Sequence, residues 1–461
     1  MHRGDAYLFW LLGSESIKQI NTPTPRESPM TQPTNDDSNR VPIKLMNGAF
    51  LRNPYPILSS LREQVPAFPM EGNGFRMWVV TRHADIRLIL KDPALKKDVV
   101  STRRERVIQS LVDPSRRARL PARSRRSLLD RDGKDHRRLR DLVSHAFRPQ
   151  QIAVWEPRVR ELAEQLVQQL RSTGVIDLHS EFATPLALTL VAEIVGVPES
   201  FRDQFPILTT GILTGGSVRE IEQAGEDMYA HALSLLEYKR AHPGGGDLIA
   251  WLMQAHSEDK LDDDELVSMV IVLMMGGLEP ATAICNGIML LLQHPEQCAR
   301  LVANPQMLPA CVEEVLRFES PFRMLPPRFA DKAISLDGGV TIPPKEMIIF
   351  CVASANRDPR VIEDGDRFDI SREASPHLSF GSGPHHCLGA QLGRLQTGEA
   401  IAAFLRRFPK AQLALAPEKV RWRASTFLRR VESLPLILGP EATFAHRPAC
   451  TNTRPGFGET D

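Results

Sequence analysis

A cysteine does chemistry only where its sulfur is ionised and reachable, and one of the six in this 461-residue chain sits in a segment suited to that. Cys387 lies in FGSGPHHCLG, residues Phe380 to Gly389, where three glycines and a proline exclude a regular element. Apolar residues at helical spacing follow (Leu392, Leu395, Ile401, Ala402, Leu405), so the loop feeds a helix over 390–408. Ahead of a helix N-terminus, the helix dipole and free backbone N–H groups favour a thiolate. Such a thiolate could be a nucleophile or a metal ligand, and the local chemistry leaves both open. The other cysteines (285, 298, 311, 351, 450) show neither paired nor metal-finger spacing. They read as small thiols in a reducing compartment.

Other chemistry-bearing residues must be positioned by helices. Residues 135–147, DHRRLRDLVSHAF, are predicted helical, which places His136 and Arg140 one turn apart on one face. Residues 266–293 are almost uninterruptedly apolar, long enough to invite a membrane assignment. Gly276, Gly277, Glu279, Pro280 and Asn286 interrupt the run, so a buried central helix is expected. Glu314 and Arg317 stand at i,i+3 within EEVLR, neighbours on one helix face. Further helices are expected from Tyr55 and over 84–90, 154–170, 183–195, 224–240 and 248–255, with a short strand at Met77–Thr81. Residues 207–217, ILTTGILTGGS, read as a loosely patterned, glycine-rich connection.

Phe-Gly-x-Gly-x-His-x-Cys-x-Gly resembles the haem-ligand loop of cytochrome P450 enzymes, with every fixed position matched between Phe380 and Gly389. The resemblance extends over about residues 45–438. It implies a mainly α fold with a smaller β-rich subregion (α+β) and a long central helix over haem b. Cys387 would be the proximal thiolate on iron, in a loop shaped by Phe380, Gly381 and Gly389. His136, Arg140, Arg328 and His385 would pair with the haem propionates. Glu314, Arg317 and Arg367 would form a buried ion network beneath the haem. Gly276-Gly-Leu-Glu-Pro matches the family's oxygen groove at Gly276, Gly277 and Glu279, the catalytic candidates being Glu279, Gly276 and Pro280.

Pro280 stands where the family usually carries the threonine of oxygen activation. A helical proline leaves the carbonyl four residues back, that of Gly276, without its bond, and supplies no hydroxyl. Thr282 is rotated by roughly 200° from Pro280 at ~100° per residue, on the side of Glu279. Proton delivery would then run from Glu279 through water, or use a substrate hydroxyl. Some peroxide-using relatives also carry proline here, but with arginine in place of the acid. Oxygenase chemistry therefore stands ahead of a peroxide-driven peroxygenase or a rearrangement catalyst. A non-catalytic haem-binding module is a further alternative. Gly393 replaces the usual alanine in the helix after the cysteine.

The net charge of +1 gives no global signal for nucleic acid, and 42% apolar content supports a large core. Residues 1–40 read as a disordered lead-in, 41–438 as a single domain and 439–461 as a flexible tail. Tyr7–Leu12 is too short for a membrane span, and a cytoplasmic monomer is expected. No flavin or iron–sulfur segment is present, so electrons would come from a ferredoxin or flavodoxin with its reductase. The basic helix around Arg137, Arg138 and Arg140 would receive that partner. The arginine-rich stretch from Arg103 to Arg126 is a solvated loop or an anion-attracting patch for an acidic redox protein or carrier. Val272, Met275, Gly276, Leu278, Phe322, Met324 and Phe427 would line a pocket for a hydrophobic small molecule, such as a polyketide, terpenoid or other secondary metabolite.

Overall fold

The computed structural model describes residues 48–440, except 73–74, 98–125, 172, 203, 215–217, 374–375, 424 and 426. The expected lead-in, most of the tail and all but one of the arginines from Arg103 to Arg126 lie outside the described residues.

Helices α1 (Gly48–Arg52) and α2 (Tyr55–Gln64) precede the hairpin β1 (Ala67–Gly72) and β2 (Phe75–Val80), then α3 (His83–Ile89) and β3 (Leu95–Lys96). Helix α4 (Gly133–Ser144) begins two residues before the expected start and passes into a 3-10 turn at His145–Phe147. Next come α5 (Pro149–Gln169), β4 (Val175–Asp177), a π-helical turn at His179–Ala183, and α6 (Thr184–Val195). Helices α7 (Glu199–Arg202), α8 (Gln204–Thr214), α9 (Val218–Ala241) and α10 (Leu248–Ser257) lead to α11 (Asp263–Gly276) and α12 (Glu279–Gln293). After α13 (Pro295–Ala303) and α14 (Leu308–Phe318) run β5 (Leu325–Ala330), β6 (Ile334–Ser335), β7 (Thr341–Ile342), β8 (Met347–Phe350) and α15 (Val352–Ala355). The chain closes with α16 (Ala390–Arg407), β9 (Gln412–Leu413) and β10 (Pro435–Ile437).

The five-stranded sheet has the order β1-β2-β8-β5-β3, with β2 and β8 parallel and the other pairs antiparallel. A small antiparallel sheet, β4-β10-β9, lies apart from it. The α+β expectation is met. The larger core is helical: α16 packs against α5, α12 and α14, burying Ile284, Ile288, Val315, Ile401 and Phe404.

Two local readings are corrected. Residues 207–214 belong to α8, because packing on α9 decides where the sequence pattern was weak. Gly211 permits that packing, since a Cβ there would stand 2.8 Å from the Ala224 Cβ. The long central helix is also not one rod. It breaks at Gly277–Leu278, and both halves are largely buried inside the protein.

Beneath the helical core, Arg317 is almost wholly buried. It donates to Glu314 from Nε (2.7 Å) and Nη2 (2.8 Å), and to the carbonyls of Asn356, Gly365 and Arg367. Arg367 offers that carbonyl alone; its guanidinium turns outward to Asp369 at 2.7 Å. The second cation on Glu314 is Arg372, at 3.5 Å. Exposed solvation satisfies Arg367 more cheaply than burial would, which corrects the expected trio.

Near the sheet, Glu319 accepts from Tyr55 Oη (2.6 Å) and Arg429 Nε (2.7 Å). Arg429 also donates to the carbonyls of Leu51 and Arg52, tying α1 to the hairpin that carries it, which the Trp422–Val431 bridge closes.

Candidate active site

The cysteine loop is held open by its glycines. Gly381 (φ 71°) and Gly383 (φ 75°) adopt left-handed backbone. A Cβ on Gly383 would lie 2.3 Å from the Leu90 carbonyl oxygen, so no other residue fits there. The Cys387 N–H donates to the Phe380 carbonyl at 2.9 Å, closing the loop. The Cys387 side chain is accessible, although protein surrounds it closely on its other sides. Burial pushes the thiol up, while the Gly389 N–H, Arg140 and Arg394 favour the thiolate. Phe380 lies under the Arg394 guanidinium, 4.6 Å from ring centroid to Cζ, and Glu313 fixes that arginine at 2.5 and 3.0 Å. A Cβ at Gly393 would meet the Phe380 ring at 3.6 Å, an ordinary contact, so space does not demand the glycine.

Two arginines and two histidines stand beside the loop. The His136 ring is buried, with its centroid 4.0 Å from that of His385. His136 Nε2 and His385 Nδ1 are both shielded from solvent and have no hydrogen-bond partner. Burial pushes His385 down to about 3, against the Asp132 carboxylate that pulls it up. Arg140, one turn beyond His136, makes no ion pair among the described residues and feels the charge of Cys387. Arg328 is buried, donates to the carbonyls of Pro326 (2.8 Å) and Pro327 (3.2 Å), and acts electrostatically on both histidines. The structure therefore gathers His136, Arg328 and His385 into one cluster, with Arg140 toward Cys387.

The break between α11 and α12 holds the remaining candidates. A Cβ at Gly276 would meet nothing within 4 Å, so that residue faces open space. Gly277 is the reverse: a Cβ there would stand 2.3 Å from the Val191 side chain of α6. Pro280 occupies the first turn of α12, where its missing N–H leaves no bond broken. Glu279 is half-buried, and its Oε2 is shielded and without a partner. Burial pushes its carboxyl up to about 7, offset by Arg430 and by the Thr282 hydroxyl, which donates to it.

Comparison with known proteins decides what this geometry belongs to. The model of the cytochrome P450 family matches residues 189–420. Cytochrome P450 107B1 of Saccharopolyspora erythraea is 35% identical over 393 residues, 85% of this chain and 96% of that one. The polyketide biosynthesis cytochrome P450 PksS of Bacillus subtilis is 35% identical over 397 residues, covering 84% and 96%. The solved structure of the tirandamycin C-bound P450 monooxygenase TamI superposes with a TM-score of 0.79 at 32% identity, covering 85% of this chain and 99% of that one. This chain is a cytochrome P450. It is an oxidoreductase of the monooxygenase type, which incorporates oxygen from O2, and its cofactor is a haem-thiolate.

The residues present fit such a group in a P450. An accessible thiol, two glycines facing open space (Gly276 and Gly389), two unpartnered imidazole nitrogens and an arginine without an ion pair suit a flat macrocycle bearing carboxylates. Arg138 is exposed and forms a two-pronged pair with Glu265 at 2.6 and 3.1 Å. One feature of the P450 reading is revised. Met324 and Phe427 are packed away in the sheet-side core, and of residues 322–325 only Phe322 is appreciably accessible. Val272, Met275, Gly276 and Leu278 remain accessible.

Sequence reasoning missed Asp132. Its Oδ2 accepts the Lys97 N–H at 2.7 Å and its Oδ1 lies 3.5 Å from His385 Nε2, so it caps no N–H of α4. An acid just before a predicted helix was the available signal, but it points to a cap. Arg394 and Arg430 were missed as well; nothing local marks them.

Proposed function

We propose that this P450 oxidises a hydrophobic small molecule, a secondary metabolite such as a polyketide or terpenoid, using haem b held by Cys387. When bound, the haem supplies oxygen activation, helped by electron density from the thiolate. The observation that carries the reading is the accessible Cys387 sulfur, with Gly276 and Gly389 each facing open space. His136, Arg140, Arg328 and His385 would pair with the propionates, the unpartnered His136 Nε2 and His385 Nδ1 being open to charge-assisted bonds. Phe380 would pack beside the sulfur, and Gly381 and Gly389 would let the loop approach the macrocycle.

Val272, Met275, Leu278 and Phe322 orient an apolar substrate and exclude water. Gly276 leaves room at the reacting face. Glu279 is the proton source: a carboxyl titrating near neutrality can both hold and release a proton at working pH. Pro280 supplies no hydroxyl, so water or a substrate hydroxyl completes the transfer. Electrons come from a ferredoxin or flavodoxin with its reductase, docking near the exposed Lys134 and Arg137. The enzyme acts as a cytoplasmic monomer, its domain spanning residues 41–438.

The test is the carbon monoxide difference spectrum of the reduced protein. Wild type is expected to show the strongly red-shifted Soret band of thiolate ligation, and Cys387→Ala to lose it; a spectrum indifferent to Cys387 overturns the assignment. Pro280 favours a second reading, peroxide-driven turnover. Product formed with hydrogen peroxide as fast as with a reduced electron donor would establish it.

A further inference from the structure

Glu313 and His377 make contacts to which the haem reading gives no role. Glu313 precedes Glu314 on α14, yet the two neighbours serve different segments. Glu314 turns inward to Arg317, whereas Glu313 reaches α16 and accepts from Arg394 Nε at 2.5 Å and Nη2 at 3.0 Å. Its Oε2 also lies 3.1 Å from Nε2 of His377, a residue of the segment that enters the cysteine loop. The His377 side chain is 3% exposed, so water does not compete for that bond.

The His377 proton has a defined place. Nδ1 accepts the Ser379 N–H at 3.3 Å, so the ring proton sits on Nε2 and is donated to Glu313. In this tautomer the ring is neutral. Its segment is anchored as well: Asn356 Oδ1 accepts the Leu378 N–H at 2.7 Å, and Ser379 Oγ donates to the Leu316 carbonyl at 2.6 Å. Glu313 thus gathers three donors from two segments. Burial raises its carboxyl, but His377 and Arg394 more than reverse that and hold it down at about 2. It is a carboxylate that grips the Arg394 fork in a two-pronged pair.

The clamp points at the cysteine loop. Arg394 Cζ lies 4.6 Å from the Phe380 ring centroid, within cation–π range, and the His377 ring centroid lies 6.0 Å from the same ring. Phe380 is also the residue whose carbonyl accepts the Cys387 N–H at 2.9 Å. Arg394 and Arg140 are the two cations whose charge acts on the Cys387 sulfur. Of these, Arg394 is the one held by a carboxylate.

We propose that His377 and Glu313 are positioning residues for the thiolate: they pin the Arg394 guanidinium over Phe380, and the pinned charge raises the reduction potential of the haem. The proposal rests on the reading of Cys387 as the haem ligand. Reduction adds one electron to the haem-thiolate, and a fixed cation nearby favours the more negative state without having to rearrange. His377 acts at two removes, through Glu313 and then Arg394. Because its ring is neutral, deleting it removes no charge, and any effect on the potential reports position.

The experiment is a spectroelectrochemical titration of the holoenzyme, with the carbon monoxide spectrum of each variant as the control for thiolate ligation. At a fixed applied potential, Arg394→Gln is expected to lower the ferrous-to-ferric ratio about tenfold, equivalent to about 59 mV for one electron, and His377→Ala about threefold. His377→Gln, whose amide can still donate to Glu313, should restore the wild-type ratio. In the Arg394→Gln background His377→Ala should add nothing. Glu313→Asp keeps the charge but withdraws the carboxylate by one methylene, and should lower the ratio even if His377→Ala fails to hold haem. Thiolate-type spectra with an unmoved ratio in Arg394→Gln or Glu313→Asp overturn the proposal alone. So does His377→Gln behaving like His377→Ala, or a further fall when His377→Ala is added to Arg394→Gln. A wild-type spectrum without thiolate character overturns the Cys387 reading, and the proposal with it.

Discussion

At the scale of single residues, an acid that titrates near 7 inside a protein weakens the fold as pH rises. Glu279 moves from an ordinary 4.5 to about 7 on folding. Between those values the folded chain holds the proton that the unfolded chain has released, so stability falls with increasing pH. Glu279→Gln removes this dependence. The variant should be more stable than wild type by on the order of 2–3 kcal/mol at pH 8, with the gain vanishing below pH 4.5. Urea unfolding between pH 4.5 and 8 checks it, and parallel curves for the two proteins would refute it. That Glu279 matters was legible, because an acid beside two glycines in an apolar run is conspicuous. What sets its behaviour was not, since burial by the surrounding fold, which no spacing encodes, is what raises it.

At the scale of elements, the break in the central helix combines a feature the sequence displays with one it hides. Proline and two glycines announced an interruption. Its position followed from packing: Gly277 lies against Val191, where a methyl group would be 2.3 Å from side-chain carbon. Gly277→Ala should therefore cost about 1–3 kcal/mol despite alanine's better helix propensity. In the Val191→Ala background the same change should cost far less, a coupling that a double-mutant cycle by urea unfolding reads directly. Additive effects would mean that the contact is not what requires glycine. Helix α8 shows the opposite failure, where a glycine read as a loop signal is a packing notch on α9.

Across the whole molecule, the layered helices and side sheet were legible from one loop motif and the Glu314–Arg317 spacing. Which arginine completes that pair was not, because Arg367 and Arg372 lie in the same irregular segment and only the fold decides which turns inward. Glu314→Ala would leave Arg317 charged and buried, at a cost of about 3–5 kcal/mol. Unfolding midpoints and haem content of the purified protein should both fall; Arg367→Ala should leave them near wild type. The Arg429 bonds to Leu51 and Arg52 have a consequence in time. They join residues 378 and 377 positions apart in the chain. At about 5–20 residues per second of synthesis, α1 waits on the order of 20–80 s for its partner. During translation the first elements of the sheet must persist until Arg429 has emerged, so a segment made long after them governs when they are tied down.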